Sequence, residues 1–207
     1  MTEAKDDFIS IIVLAAGLST RFGRNKLLEP LGDSTMIERV VSECLASKAR
    51  QVIVVVGHEG NKVRRKLKNY KCEIVTNKNF ARGQTTSTKE GLSRVMAQAK
   101  AVIILPGDVA MVDRNIINHV IQEYRSSNAP IVTAAFHGKR GHPILFDANL
   151  MKELKNIEED TQGLRSVVSR HESKVRGVET SEAALVDIDR LSDLQLLDAS
   201  SENLGQT

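Results

Sequence analysis

The amino-acid sequence predicts an α/β protein: a mostly parallel sheet with helices packed on both faces. Three observations carry that expectation. Apolar runs alternate with amphipathic runs along most of the chain. The apolar runs are continuous, as strands buried on both faces require. The strand–helix–strand order recurs, and parallel neighbours need such crossovers.

Each element follows from its pattern. Ser10–Ala15 reads as a first buried strand. Met36, Ile37, Val40, Val41, Cys44 and Leu45 follow helical spacing, with Thr35 and Glu38 placed as a capping box. Gln51–Val56 reads as a second strand, Val63, Leu67 and Tyr70 as a helix stripe, and Cys72–Val75 as a third strand. Leu92, Val95, Met96 and Ala99 predict the next helix, capped by Ser87 and Glu90. Ala101–Leu105 is a fourth strand stopped by Pro106-Gly107. Asp113 caps a helix carrying Ile116, Ile117, Val120, Ile121 and Tyr124, and Ile131–Phe136 is a fifth strand. Pro143–Phe146 reads as a strand, Leu150–Leu154 and Leu164–Ser169 as short helices, and Leu185–Ile188 as a last strand. Residues 1–207 read as one domain, ordered over about 9–197, with a polar frayed tail at 198–207.

Composition excludes several classes. With 27% charged and 41% hydrophobic residues in 207, the chain has the balance of an ordinary globular domain. Cys44 and Cys72 match no zinc spacing. A formal charge of +3, two tyrosines, five phenylalanines and no tryptophan give little reason to expect nucleic acid as a partner. The longest apolar run, Ile11–Ala16, is far short of the ~20 residues of a membrane span, and the N-terminus carries acids where a secretory signal carries bases. A cytoplasmic protein without membrane contact is expected.

In such sheets ligands bind beyond the carboxyl ends of the strands. The loop after the first strand, Leu14 to Lys26, is neither a dinucleotide fingerprint nor a P-loop. It has the parts of a phosphate cradle all the same. Ala15, Ala16 and Gly17 let backbone N–H groups approach an anion, Ser19 and Thr20 add hydroxyls, and Arg21, Arg24 and Lys26 add charge. A solvated connection with chance bases is the plainer alternative, and three bases in six residues after a buried strand weigh against it.

Asp108 follows the fourth strand, where a carboxylate can hold Mg²⁺ together with phosphate oxygens. A capping role falls to Asp113 instead. Asp187 and Asp189, two apart, share one face of an extended segment and can supply a second carboxylate. Clustered acids predict that Asp108→Asn slightly stabilises the ligand-free fold. In the run Arg82 to Gly91, capping leaves Gly83, Gln84, Thr85 and Thr86 unexplained, and no aromatic is placed to stack on a base. Arg140, Gly141 and His142 lie in a loop suited to an anion. The bases from Lys62 to Lys71 read as the solvated face of a helix, and Cys44 as core.

The segment Leu-Ala-Ala-Gly-x-Ser-x-Arg-Phe-Gly-x-x-Lys over residues 14–26 resembles the signature of nucleotidyltransferases that attach a nucleoside monophosphate to a phosphorylated acceptor. The molybdenum cofactor cytidylyltransferases and guanylyltransferases are the nearest match. The resemblance implies a three-layer α/β/α Rossmann-like fold with a mostly parallel mixed sheet. It implies that Leu14, Ala15, Ala16, Gly17 and Ser19 wrap the triphosphate, with Arg21 on the β/γ-phosphates and Lys26 on the α-phosphate. Gly83, Gln84 and Thr86 would face the nucleoside. Mg²⁺ would sit on Asp108 with Asp189, favoured over Asp187. Arg140 to Phe146 resembles Arg-Gly-His-Pro-x-x-Phe, and Glu159 to Arg165 resembles Gly-Asp-x-Gly-x-Arg, with Glu159 where glycine is usual. Arg140, Gly141, His142 and Arg165 would then meet the acceptor. The implied acceptor is molybdopterin, with a client molybdoenzyme beyond it. Ala16 points to CTP before GTP, although Asn25 stands where the cytidylyl branch has proline. Three rivals remain. A sugar-phosphate nucleotidyltransferase shares the first loop. A nicotinamide-dependent oxidoreductase is opposed by the missing fingerprint, and a non-catalytic nucleotide-binding partner of a molybdoenzyme by Lys26 and Asp108.

Overall fold

The computed structural model describes residues 7–188 and residue 193. The chain runs β1 (Ile9–Ala15), β2 (Pro30–Leu31), β3 (Ser34–Thr35), α1 (Met36–Ala46), β4 (Gln51–Val56), α2 (Gly60–Lys66), β5 (Glu73–Thr76), α3 (Gln84–Leu92) and β6 (Ala101–Pro106). It continues through α4 (Arg114–Ser127), β7 (Ile131–Phe136), β8 (Lys139–Asp147), α5 (Met151–Lys155), α6 (Leu164–Arg170) and β9 (Val175–Glu179). The main sheet has the order β5-β4-β1-β6-β8-β7-β9. Among its strands β8 alone runs antiparallel to its neighbours. The three-layer α/β fold with a mostly parallel mixed sheet is therefore present.

The pleat divides the core in two. Ile9, Ile11, Val13 and Ala15 of β1 point into the layer under α1, α2 and α4, while Ile12 and Leu14 point into the layer under α3, α5 and α6. Both layers exclude water, so each of these Ile, Val and Leu side chains contributes about 1.5–3 kcal/mol. Ser10 is the polar exception on β1, and its hydroxyl donates to Gln51 Oε1 at 2.7 Å. Glu38 accepts from the Thr35 N–H and hydroxyl at the start of α1, and Asp113 accepts from Ile116 N–H at the start of α4.

Four elements differ from the sequence reading. The helix expected over Leu92–Ala99 lies earlier, as α3, so the glycine–hydroxyl run is itself helical and Ser87 is buried inside it rather than a cap. The reason is close packing: a Cβ on Gly91 would lie 2.5 Å from Ile12 Cγ2, so α3 rests on the sheet through small residues and shows no apolar stripe. The loop expected at residues 137–142 is a tight turn at Gly138 (φ +75°) followed directly by β8, so Arg140 to His142 lie in a strand. Strand β9, whose residues are mostly exposed, carries no buried-strand pattern and was not expected. The last strand expected at Leu185–Ile188 is instead the end of a 3-10 turn, Glu182–Leu185, and an extended stretch.

The connections out of β1 and β6 run over the same face, through α1 and α4, but diverge along the sheet to β4 and to β7, which opens a crevice where the carboxyl ends of β1 and β6 meet. Leu14 lies opposite Pro106, and Gly107 N–H donates to Leu14 O at 2.9 Å. The loop of residues 16–26 and Asp108 are thereby fixed side by side.

Candidate functional site

The loop after β1 is shaped by its own backbone. Ser19 adopts φ +52°, and its carbonyl accepts from Phe22 N–H and Gly23 N–H at 3.0 and 3.2 Å. Its hydroxyl accepts from Lys26 N–H at 3.3 Å. Asn25, 3% exposed, accepts from Leu27 N–H and donates to His58 O, anchoring the loop's end to the turn after β4. Lys26 therefore leaves a fixed backbone, and its Nζ lies 2.7 Å from Asp108 Oδ2. The two side chains are 13% and 23% exposed, so this is a half-sheltered ion pair. Asp108 thus faces a lysine in the ligand-free protein, which reverses the expectation that Asp108→Asn would relieve repulsion.

A cavity of about 430 Å³ opens over this loop. Leu14, Ala16, Gly17, Ser19, Arg21 and Lys26 line it, as do Gly83, Gln84 and Asp108. Ala15 lies beneath the wall, 1% exposed. Thr86 is turned away: its hydroxyl donates to Gly83 O at 2.8 Å and accepts from Asn77 Nδ2 at 2.8 Å, and Ser87 takes its place on the wall. Arg24 is engaged elsewhere, forked onto Glu29 with both contacts at 2.5 Å. Two aromatics also line the cavity, Phe22 and Phe80, which the sequence reading did not place there. Phe80 packs where Gly57 leaves room, since a Cβ there would lie 2.6 Å from Phe80 Cβ. Its place in the loop after β5 was the available signal.

A second cavity, about 660 Å³, lies on the β8 side. Arg140, Gly141, His142 and Arg165 all line it, with Asp187 and Gln162. Ile104, Ile144 and Val168 give it an apolar wall. Arg140 is held by Glu172 at 2.9 Å. Burial pushes the His142 imidazole pKa down, opposed by the nearby Asp108 charge, so the ring is neutral near pH 7. Gln84, Pro106 and Asp108 line both cavities and form the boundary between them.

Asp108 and Asp187 share the second cavity, and Ile188 N–H donates to Asp108 O at 3.3 Å, tying the Asp187 segment to β6. Asp189 lies outside the described residues. Among the described residues no group of three or more His, Cys, Asp or Glu converges on one point. A site with one or two carboxylates leaves most positions to phosphate and water oxygens, which is the coordination Mg²⁺ favours. Among the described residues no helix is long and apolar enough to cross a membrane.

Known proteins resemble this chain in sequence and fold. The chain is 27% identical over 142 residues to the bifunctional protein GlmU of Prochlorococcus marinus, covering 67% of this chain and 32% of that one. It therefore spans about a third of that relative's length. It is 28% identical over 138 residues to the molybdenum cofactor cytidylyltransferase of Escherichia coli, covering 66% and 69%. The crystal structure of Rv0371c from Mycobacterium tuberculosis superposes with a TM-score of 0.83 at 25% identity, covering 92% of this chain and 97% of that one. A manganese complex of Rv0371c superposes with a TM-score of 0.80 at 23% identity, covering 93% and 99%. Residues 11–175 match the MobA-like NTP transferase domain, and the chain belongs to that family.

Proposed function

We propose that the protein is a divalent-metal-dependent nucleotidyltransferase that moves a nucleoside monophosphate from an NTP to a small phosphorylated acceptor. The observation that carries this reading is the pair of cavities meeting at Asp108, one lined by the loop of Lys26 and the other by Arg140, His142 and Arg165. A triphosphate fits the first, which Gly17, Ser19, Arg21 and Lys26 line. The acceptor fits the second, with its phosphate towards the boundary.

An acceptor phosphate oxygen attacks the α-phosphorus; the new P–O bond forms as the bond to the β-phosphate oxygen breaks and pyrophosphate leaves. That phosphate is ionised at pH 7, so no side chain needs to remove a proton. Catalysis rests on positioning and charge neutralisation. Lys26 exchanges Asp108 for phosphate oxygens, and Arg21 holds the departing pyrophosphate. Gly83 and Gln84 meet the nucleoside, and Phe80 offers it a flat face. Mg²⁺ held by Asp108 with Asp187 or Asp189 would neutralise the reacting phosphates.

Molybdopterin with CTP is the preferred pair, GTP second, supported by the Arg140 to Phe146 segment, by Ala16 and by the similarity to the E. coli cytidylyltransferase. A client molybdoenzyme would then receive the product. The second reading, a sugar-phosphate acceptor, is supported by the similarity to GlmU. Pyrophosphate release separates them: each NTP is supplied with Mg²⁺ and either molybdopterin or a hexose 1-phosphate. Release with CTP and molybdopterin is expected. Release only with the sugar phosphate selects the second reading, and none under any pairing refutes both.

A further inference from the structure

Helix α3 begins without a cap of its own. Its first residue follows Gly83, at φ +110°, which has no side chain to offer the free N–H groups. The cap comes from 74 residues further on. Glu159 Oε2 accepts from Thr85 N–H at 2.8 Å and from the Thr85 hydroxyl at 2.7 Å. Burial pushes the Glu159 carboxyl pKa up, but the hydrogen bonds from Thr85 and Gln84 together outweigh it and hold the group below the ordinary value, hence ionised. An anion at a helix N-terminus is also favoured by the helix dipole.

The fit is close on both sides. A Cβ on Gly83 would lie 2.3 Å from Glu159 Cδ, so the carboxylate lies directly over the glycine. Gly163, at φ +53°, approaches from the same loop, and a Cβ on it would lie 2.9 Å from Thr85 Cγ2. That loop is braced internally, with Gln162 N–H donating to Glu159 O and Gly163 N–H to Glu158 O. It leads straight into α6, which carries Arg165 to the second cavity. On the other side of the contact, Gln84 lines both cavities. Glu159 thus joins the segment that meets the acceptor to the helix start that meets the nucleotide.

We propose that Glu159 is a positioning residue: by capping α3 across the fold it holds Gln84 in register between the two substrate cavities. This rests on the nucleotidyltransferase reading above. Glu159 takes the N–H groups of Gln84 and Thr85, so these are not offered to a triphosphate, whose place is the loop of residues 16–26 with the nucleoside end towards Gln84.

The test is a calorimetric titration of CTP and GTP, each with Mg²⁺, into the wild-type chain, Glu159→Ala and Glu159→Gln, with amide hydrogen exchange read at Thr85. Glu159→Ala is expected to raise Kd about tenfold, the size of a lost helix cap, and to speed exchange at Thr85. Glu159→Gln, which keeps one acceptor oxygen, should fall between, and it carries the test if the alanine variant does not fold. An unchanged or lowered Kd in both variants overturns the proposal, as does a weaker Kd with unchanged exchange at Thr85. A wild-type chain that binds neither nucleotide rejects the functional reading and this proposal together. A wild-type chain that binds, with variants that bind equally well, rejects this proposal alone.

Discussion

Replacing Asp108 by asparagine tests how the site is held before any ligand arrives. At 2.7 Å from Lys26 Nζ the gross Coulomb attraction is roughly 6 kcal/mol at an effective dielectric of about 20. Desolvation and side-chain ordering cancel most of that. Exposed pairs net about 0–1 kcal/mol, and breaking a fully buried pair costs about 3–5. With side chains 13% and 23% exposed, the pair lies between, at about 1–2 kcal/mol. For a chain of this length each kcal/mol moves Tm by about 2–4 °C, so Asp108→Asn should lower Tm by about 2–8 °C without ligand. Lys26→Met, which keeps the aliphatic stem, should cost a similar amount. The double variant should cost little more than either single one, because both remove the same pair. Thermal unfolding of the four proteins closes the cycle. A rise in Tm for Asp108→Asn, or two single effects that simply add, refutes the ion pair as a stabilising contact.

Three further expectations follow from other contacts. Gly91→Val forces a branched side chain into the 2.5 Å gap to Ile12 Cγ2 and should cost about 1–3 kcal/mol, readable by urea denaturation; an unchanged midpoint would show that α3 does not rest on the sheet there. Ala16→Gly removes a methyl group from the nucleotide cavity wall and should narrow the CTP-over-GTP preference only in part, because Gly83 and Gln84 remain; competition binding measures it, and a widened preference refutes it. His142 has a folded pKa lowered from 6.5, so the folded state resists protonation. Its contribution to stability is present above pH ~6.5 and is lost as pH falls through the lowered folded value. Wild-type stability should therefore fall between pH 7.5 and 5.5 more than that of His142→Gln; equal slopes would refute it.

The sheet was legible because its strands are continuous apolar runs, and β1, β4 and β6 match their expected spans to within a residue or so. The α3 region was misread because this helix packs through Gly91, Ser87 and Thr88, and small polar residues carry no hydrophobic period. Strand β9 escaped because it lies at the sheet edge with exposed side chains. In the site, the position of the first loop followed from the strand before it, and so did that of Asp108. What spacing could not show is which polar groups are already engaged. Arg24 and Arg21 look equivalent in sequence, yet Arg24 is forked onto Glu29 while Arg21 lines the cavity. Thr86 and Ser87 are adjacent, and helical rotation alone decides which one meets the wall. The Glu159–Thr85 contact spans 74 residues and has no local pattern at all.

The claim that the loop of residues 16–26 holds the triphosphate is tested most directly by titrating Mg²⁺ with CTP into three proteins: wild type, Lys26→Ala and Arg24→Ala. Both substitutions remove one positive charge from the same short loop, and only Lys26 lines the cavity. Wild type and Arg24→Ala are expected to bind alike, with Lys26→Ala weaker by at least about tenfold, the scale of one lost charge-assisted contact. Equal weakening by both would reduce the loop to a diffuse basic patch. Binding untouched by Lys26→Ala would place the triphosphate elsewhere and contradict the account.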